Sequence, residues 1–310
     1  MRVCQNGFFL AHPLILNHIK PLPYNQIMID FPCAKINLGL NIVERRADGY
    51  HNLQTVFFPI PICDALEIKL MDPKFPSVSN CDLKVTGENA NCDEADNLVV
   101  KAYNLIASER AIPRVHAHLY KHIPMQAGMG GGSSDAAYMI RLLDERFNLD
   151  MGNAVMEAYA ARLGADCPFF ITAEPAYAEG IGEILSPVKI YGDNLKGYKM
   201  VVVKPTVAVS TKEAFSRIKP HTPQYCCRDV VARPVEEWKT MLTNDFEESV
   251  FGLYPEVGTI KERLYEEGAL YAQMSGSGSS VFGIFSPDAK ISQENAERIF
   301  EGCRTYVMTV

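Results

Sequence analysis

Gly128-Met129-Gly130-Gly131-Gly132 places four glycines in five positions, and the residues on either side of it leave few folds open. Upstream, Val115 to Ile123 alternates apolar and polar side chains, the pattern of a half-buried strand. Downstream, Ser133, Ser134 and Asp135 supply cap-type residues. A helix is then expected, with Ala136, Met139, Ile140 and Leu143 on its apolar face. Glycines reach positive φ without strain, so successive N–H groups can converge on an anion. A helix N-terminus adds unpaired N–H groups and roughly half a positive charge, which suits a phosphate. A loop that merely caps a core helix also uses glycine, but three adjacent glycines and two serines in register with a helix start favour phosphate.

The loop is not a Walker A motif, because no lysine follows the glycines. Nor is it a dinucleotide fingerprint, since Ser133 stands where the third glycine belongs and no acidic residue is clearly placed about twenty positions on.

The 310 residues suffice for two domains, and 47% hydrophobic with 22% charged content describes an ordinary globular chain. A net charge of −7 argues against a general nucleic-acid binder. Nine cysteines at irregular spacing, without a C-x-x-C pair, fit reduced thiols in a cytosol. No run of about eighteen apolar residues is present, so no membrane span is expected. Residues 1–27 carry a short apolar patch broken by His12 and Pro13, and no clear cleavage site. They read as a poorly ordered N-terminal extension or a misassigned start, with Met28 as the first residue in the second case.

From Ala34 to Ile42 the chain alternates strictly, placing Lys35 and Asn37 on one polar strand face about 7 Å apart. An exposed strand face explains a lysine there without any function. Asp48-Gly49 marks a turn followed by Tyr50 and His51, which could stack on and hydrogen-bond a base or simply pack the loop. A helix is expected from about Glu94, capped by Asp96 or Asn97. His116, His118 and His122 share a strand face, a weak hint of a metal site. Met151 to Leu163 reads as a helix ended by Gly164 in the left-handed position. Asp166 follows, then Cys167, Pro168 and an apolar strand, so its carboxylate is expected in a partly dry place, although a turn aspartate bonding its own backbone would look the same. Ala173 to Gly182 is a plausible hinge. Beyond it, strands (198–204, 279–285) mix with helices (about 212–218, 236–242, 258–267, 292–300). A second small-residue loop, Ser275 to Ser280, could close over phosphates or be a tight turn.

The motif Pro124-Met125-Gln126-Ala127-Gly128-Met129-Gly130-Gly131-Gly132-Ser133-Ser134-Asp135-Ala136-Ala137 resembles the ATP loop of the GHMP kinases, a family of small-molecule kinases. A-K-I-N-L-G-L with D-G-Y-H, and later G-A-D-C-P-F-F, are similar to further signatures of the family members whose acceptor carries cytidine diphosphate. The similarity runs from about Met28 to near the C-terminus. It implies an α+β, two-lobed fold: a ribosomal-protein-S5-like N-terminal lobe (28–172) and a ferredoxin-like C-terminal lobe (173–310). It also implies an ATP-dependent, cytoplasmic kinase of isoprene (terpenoid) biosynthesis, a transferase phosphorylating the 2-hydroxyl of a cytidine diphosphate-linked methylerythritol. Lys35 and Asp166 are the implied catalytic pair, with Asp166 as base. Pro124 to Ser134 are the implied ATP-binding residues, and Asn37, Tyr50, His51, Thr211 and Phe215 the implied acceptor-binding ones. Mg²⁺ is expected with ATP, with Ser134 and Asp135 as candidates in an otherwise unread ligand set. The chemistry agrees: phosphoryl transfer needs positioning, charge stabilisation and a base more than covalent help. The alternatives are a GHMP kinase for mevalonate-type, homoserine or sugar acceptors, a non-catalytic nucleotide sensor on this fold, and a metal hydrolase built on the strand histidines. The D-G-Y-H block counts against the first, and the presence of both Lys35 and Asp166 against the second. The expected partner is a small molecule, with neither nucleic acid nor membrane.

Overall fold

The computed structural model describes residues 26–88 and 96–310, so nearly all of the N-terminal extension lies outside the described residues. β1 (Met28–Asp30), β2 (Cys33–Arg45), β3 (His51–Cys63), β4 (Ala65–Leu70) and β5 (Cys81–Gly87) lead to α1 (Leu98–Glu109) and β6 (Val115–Lys121). Next come α2 (Gly131–Phe147), α3 (Asn153–Ala161), α4 (Phe169–Thr172), β7 (Ala176–Glu179) and β8 (Ile184–Pro187). β9 (Lys199–Lys204), β10 (Tyr271–Met274), β11 (Val281–Phe285) and β12 (Arg304–Thr309) complete the strands.

Three four-stranded sheets result, ordered β1-β4-β6-β5, β2-β3-β7-β8 and β10-β11-β9-β12. The β5–β6 pair is parallel, with α1 as its crossover, and the other strand pairs are antiparallel. The third sheet has the strand order of a ferredoxin-like βαββαβ unit. The α+β, two-lobed expectation therefore stands. The hinge expectation does not: β7 and β8, within 176–187, extend the sheet of β3, and the chain crosses to the third sheet only after Pro187.

α2 sits under the first sheet with α1 and α3. It buries Ala136, Met139, Ile140 and Leu143 as the pattern requires, and also Tyr138, Leu142 and Phe147, because neighbours surround it. Asn97, not Asp96, caps α1 by accepting the Val99 N–H at 2.9 Å, while Asp96 pairs with Lys101. Gly164 keeps a negative φ. The apolar segment after Pro168 is not a strand but the single helical turn α4, a distinction that a four-residue apolar run cannot encode by periodicity. Residues Val235–Thr240 form a 3-10 helix behind Pro234. Among the described residues no helix is long and apolar enough to cross a membrane.

The most consequential departure concerns β2. Its presumed polar face is buried: Lys35 is 4% exposed and Asn37 2%. A bulge at Gly39, whose φ is +73°, divides the strand. Ala34, Ile36 and Leu38 pack with Met200, Val202 and Trp238, whereas Leu40 and Ile42 join Val201, Phe246 and Val250. One strand thus contributes to two cores while its Lys35 side faces a cavity.

Candidate active site

That cavity, about 1020 Å³, opens between the lobes. The glycine loop, the Lys35 side of β2, the β2–β3 turn, Ala165-Asp166, residues 209–212 with Phe215, and Gly276 to Gly278 line it.

The glycines are required by close approach. Gly128 and Gly130 both have φ +71°. A Cβ on Gly128 would lie 2.0 Å from the Ser275 carbonyl oxygen, and one on Gly130 would lie 2.8 Å from Phe170 Cζ. Gly130 caps α2, its carbonyl accepting the Ser134 N–H at 2.9 Å, so the following N–H groups are left at the cavity wall. The second small-residue loop closes on the first. Ser275 Oγ donates to the Gly128 carbonyl at 2.9 Å, and the Ser280 N–H reaches the Ala127 carbonyl at 3.3 Å.

Lys35 and Asp166 meet here, 131 positions apart in sequence (166 − 35). Lys35 Nζ lies 3.4 Å from Asp166 Oδ2. It donates to Asn37 Oδ1 at 2.7 Å and to the Gly128 carbonyl at 3.3 Å, and stands 4.9 Å from the centre of the Phe57 ring. The Lys35 N–H also donates to the Met129 carbonyl at 3.0 Å, tying β2 to the glycine loop. Asp166 is 35% exposed, so one partner of the pair is dry and the other opens to the cavity.

At the far end, His51 and Phe215 stack with centroids 4.8 Å apart and planes at 21°, and Phe246 supports Phe215 edge-on. Tyr50, 61% exposed, and Thr211 border the same space. Burial, and then the charge of Arg45, hold the His51 imidazole below its usual pKa, which favours a neutral ring beside an aromatic ligand.

Every expected site residue lines the cavity except Ser134, which is fully buried in the first turn of α2. Its Oγ has no hydrogen-bond partner. Asp135 lines the cavity, but its Oδ2 is taken by Lys121 at 2.6 Å and its Oδ1 is buried without a hydrogen-bond partner. Asp64 grips the same ammonium from the other side and accepts the Ile123 N–H at 2.8 Å. Burial first, and then Asp64, push the Asp135 carboxyl up to about 8 against the pull of Lys121. Burial pulls the Lys121 ammonium down, yet the two carboxylates leave it raised overall.

The strand histidines form no centre. His116 bonds Asp82 at 2.8 Å, His118 bonds Thr86 at 2.8 Å, and His122 lies past the strand end against Tyr306. Among the described residues no group of three or more His, Cys, Asp or Glu could hold a metal ion. Sequence reading missed Thr55, Phe57, Asp64 and Lys121. Thr55 and Phe57 carried a recoverable signal, since β3 was bound to pair with β2 after the Asp48-Gly49 turn.

Two families of known proteins match the chain: GHMP kinases N terminal domain over residues 97–174 and GHMP kinases C terminal over 228–305. A Bacteroides fragilis protein named 4-diphosphocytidyl-2-C-methyl-D-erythritol kinase is 55% identical over 273 residues, 88% of this chain and 97% of that protein. One of the same name from Bacteroides thetaiotaomicron is 52% identical over 269 residues, 86% and 95% of the two chains. Among solved structures, a 4-(cytidine 5'-diphospho)-2C-methyl-D-erythritol kinase superposes with a TM-score of 0.74 at 30% identity, covering 90% of this chain and 98% of that one. The mevalonate kinase of Methanococcus jannaschii superposes with a TM-score of 0.65 at 13% identity over 93% and 100% of the chains, a likeness of fold alone.

Proposed function

The chain belongs to the GHMP kinases, in the 4-diphosphocytidyl-2-C-methyl-D-erythritol kinase family, and from that premise we propose that it moves the γ-phosphoryl group of ATP to the 2-hydroxyl of 4-diphosphocytidyl-2-C-methyl-D-erythritol. The observation that carries this reading is the Lys35–Asp166 pair beside the glycine-rich N-terminus of α2.

In this proposal the acceptor hydroxyl lies against Asp166. As its oxygen forms a bond to the γ-phosphorus, its proton passes to the Asp166 carboxylate. The bond from that phosphorus to the β–γ bridging oxygen breaks, and ADP leaves. Lys35, with its Nζ 3.4 Å from Asp166 Oδ2, offers positive charge to the group in flight. Pro124 to Ser133 bind the phosphates, the backbone N–H groups from Met125 to Ser133 acting as donors. Tyr50, His51, Thr211 and Phe215 hold the cytidine diphosphate end, with Phe215 and Tyr50 as ring partners for the base. Asn37, buried with its Oδ1 2.7 Å from Lys35 Nζ, stands instead at the transfer end.

Ser134 and Asp135 do not fit a Mg²⁺ site. Ser134 Oγ is sealed in the helix, and Asp135 gives its Oδ2 to Lys121 while its Oδ1 is shut away from the cavity surface. A Mg²⁺ that arrives with ATP is typically held through phosphate oxygens and water rather than a protein cage. A cytosolic setting belongs to the same proposal, in keeping with nine cysteines at irregular spacing.

A coupled ADP-release assay tests the activity. The cytidine diphosphate acceptor should be turned over, while mevalonate and homoserine should not. Turnover of either of those instead would overturn the acceptor assignment.

A further inference from the structure

We propose that Thr55 is a positioning residue for this reaction, setting the direction of the hydrogen bonds that hold Lys35; this rests on the kinase reading above.

Thr55 lies in the middle of β3, fully buried between β2 and β7, and pairs across the sheet with Leu40 and Ala178. Its Oγ1 donates at 2.5 Å to the carbonyl of Gly39, the bulge residue of β2. That carbonyl is turned inward because the bulge gives Gly39 a φ of +73°. The Gly39 N–H is taken separately by Gln273 Oε1 at 2.8 Å, so the bulge is pinned from both sides.

A hydroxyl has one proton to give. Once Thr55 has given it to Gly39, its oxygen can only accept, and the Asn37 amide NH₂ donates to it at 2.9 Å. The Asn37 amide is thereby oriented, and its Oδ1 faces Lys35 Nζ at 2.7 Å. Rotated by half a turn, Asn37 would point NH₂ at an ammonium, donor against donor, and leave the Thr55 oxygen without its donor. Gly276 supplies the room above Asn37: a Cβ there would lie 3.2 Å from Oδ1. The chain from the Gly39 carbonyl through Thr55 and Asn37 to Lys35 is buried at each side chain. In such surroundings an amide facing the wrong way costs as much as an unmade hydrogen bond. Thr55 touches neither ATP nor acceptor in this scheme. It decides which atom of Asn37 the ammonium meets, and so where the charge stands for transfer.

The test compares Thr55→Val, Thr55→Ala and Thr55→Ser in the full chain, with Asn37→Ala and the double variant Thr55→Val/Asn37→Ala. Thr55→Val should lower kcat by roughly 10- to 100-fold with the KM for ATP unchanged, as a misplaced group does. Serine and alanine lack the methyl group equally and differ only by the hydroxyl. Thr55→Ser should therefore exceed Thr55→Ala in kcat even if the valine variant fails to fold. In the Asn37→Ala background, Thr55→Val should have no further effect on kcat, a coupling that general loosening of the sheet does not produce. Exchange of the Asn37 side-chain amide protons should be slow in the wild type and in Thr55→Ser, and fast in Thr55→Val. This second readout needs no turnover, so it decides the relay even if the cytidine diphosphate acceptor proves wrong. Wild-type kcat in Thr55→Val, equal kcat in Thr55→Ser and Thr55→Ala, multiplicative effects in the double variant, or unchanged exchange would each overturn the proposal.

Discussion

Asp166 shows how far a single residue can be read. Its place after a helix and before Cys167-Pro168 suggests a carboxylate in partly dry surroundings, and it stands one-third exposed with a buried ammonium at 3.4 Å. Replacing it by asparagine keeps the shape and removes the proton acceptor of the proposed reaction. Asp166→Asn should lower turnover by about 10²–10⁴ while ATP affinity stays near wild type. Single-turnover rates alongside nucleotide titration check this; a variant as fast as the parent would remove Asp166 from the base role. Lys35 is the reverse case. Alternation puts it opposite the core-facing residues, and nothing in that pattern tells a wet face from a cavity wall. The answer depends on Phe57, Gly128 and Asp166, which reach it from elsewhere in the chain.

The elements that form the site differ in how they are stabilised. Strand, glycine loop and α2 are contiguous, and local chemistry suffices to recognise them. The segment that carries Thr211 and Phe215 is held differently. Beyond it, the His221 N–H donates to the Ile42 carbonyl at 3.0 Å, and its ring contacts Asp245 at 3.2 Å. The hydrogen bond at Thr222, then Asp245, raise the His221 imidazole above its usual 6.5. A group whose pKa is higher folded than unfolded stabilises the fold fully below 6.5, and that contribution fades as pH climbs through the raised value. Half-exposure of the ring makes the effect small. Melting temperatures of wild type and His221→Gln should thus differ most below pH 6.5 and converge at alkaline pH. A gap that widened with rising pH would contradict the ion pair. α4 and β7 mark the limit of local reading: four-residue elements have too few positions for a period to show, and their identity comes from what they pack on.

At the level of the whole molecule, the lobes share a core. Ala34, Ile36 and Leu38 of β2 pack with Met200 and Val202 of β9 and with Trp238, the single tryptophan of the chain. Leu40 also exchanges backbone hydrogen bonds with Thr243 and Asp245. Lobes joined in this way should unfold together. In urea, Trp238 fluorescence and far-ultraviolet circular dichroism should trace coincident transitions, whereas separated midpoints would show two independent units. The sequence alone determined the glycine loop and the helix start behind it, because glycine, serine and helix start act within about ten residues, where backbone conformation is set locally. It also identified the separate motifs whose resemblance pointed to the kinase family and to Lys35 and Asp166. Only the tertiary structure decided that those two meet and that Ser134 is sealed away. Only it shows that Asp135 serves Lys121, and that Thr55 and the Gly39 carbonyl stand behind Asn37. Those facts depend on which distant side chains share a dry volume, and hydrogen bonds there are directed by partners that no local pattern names.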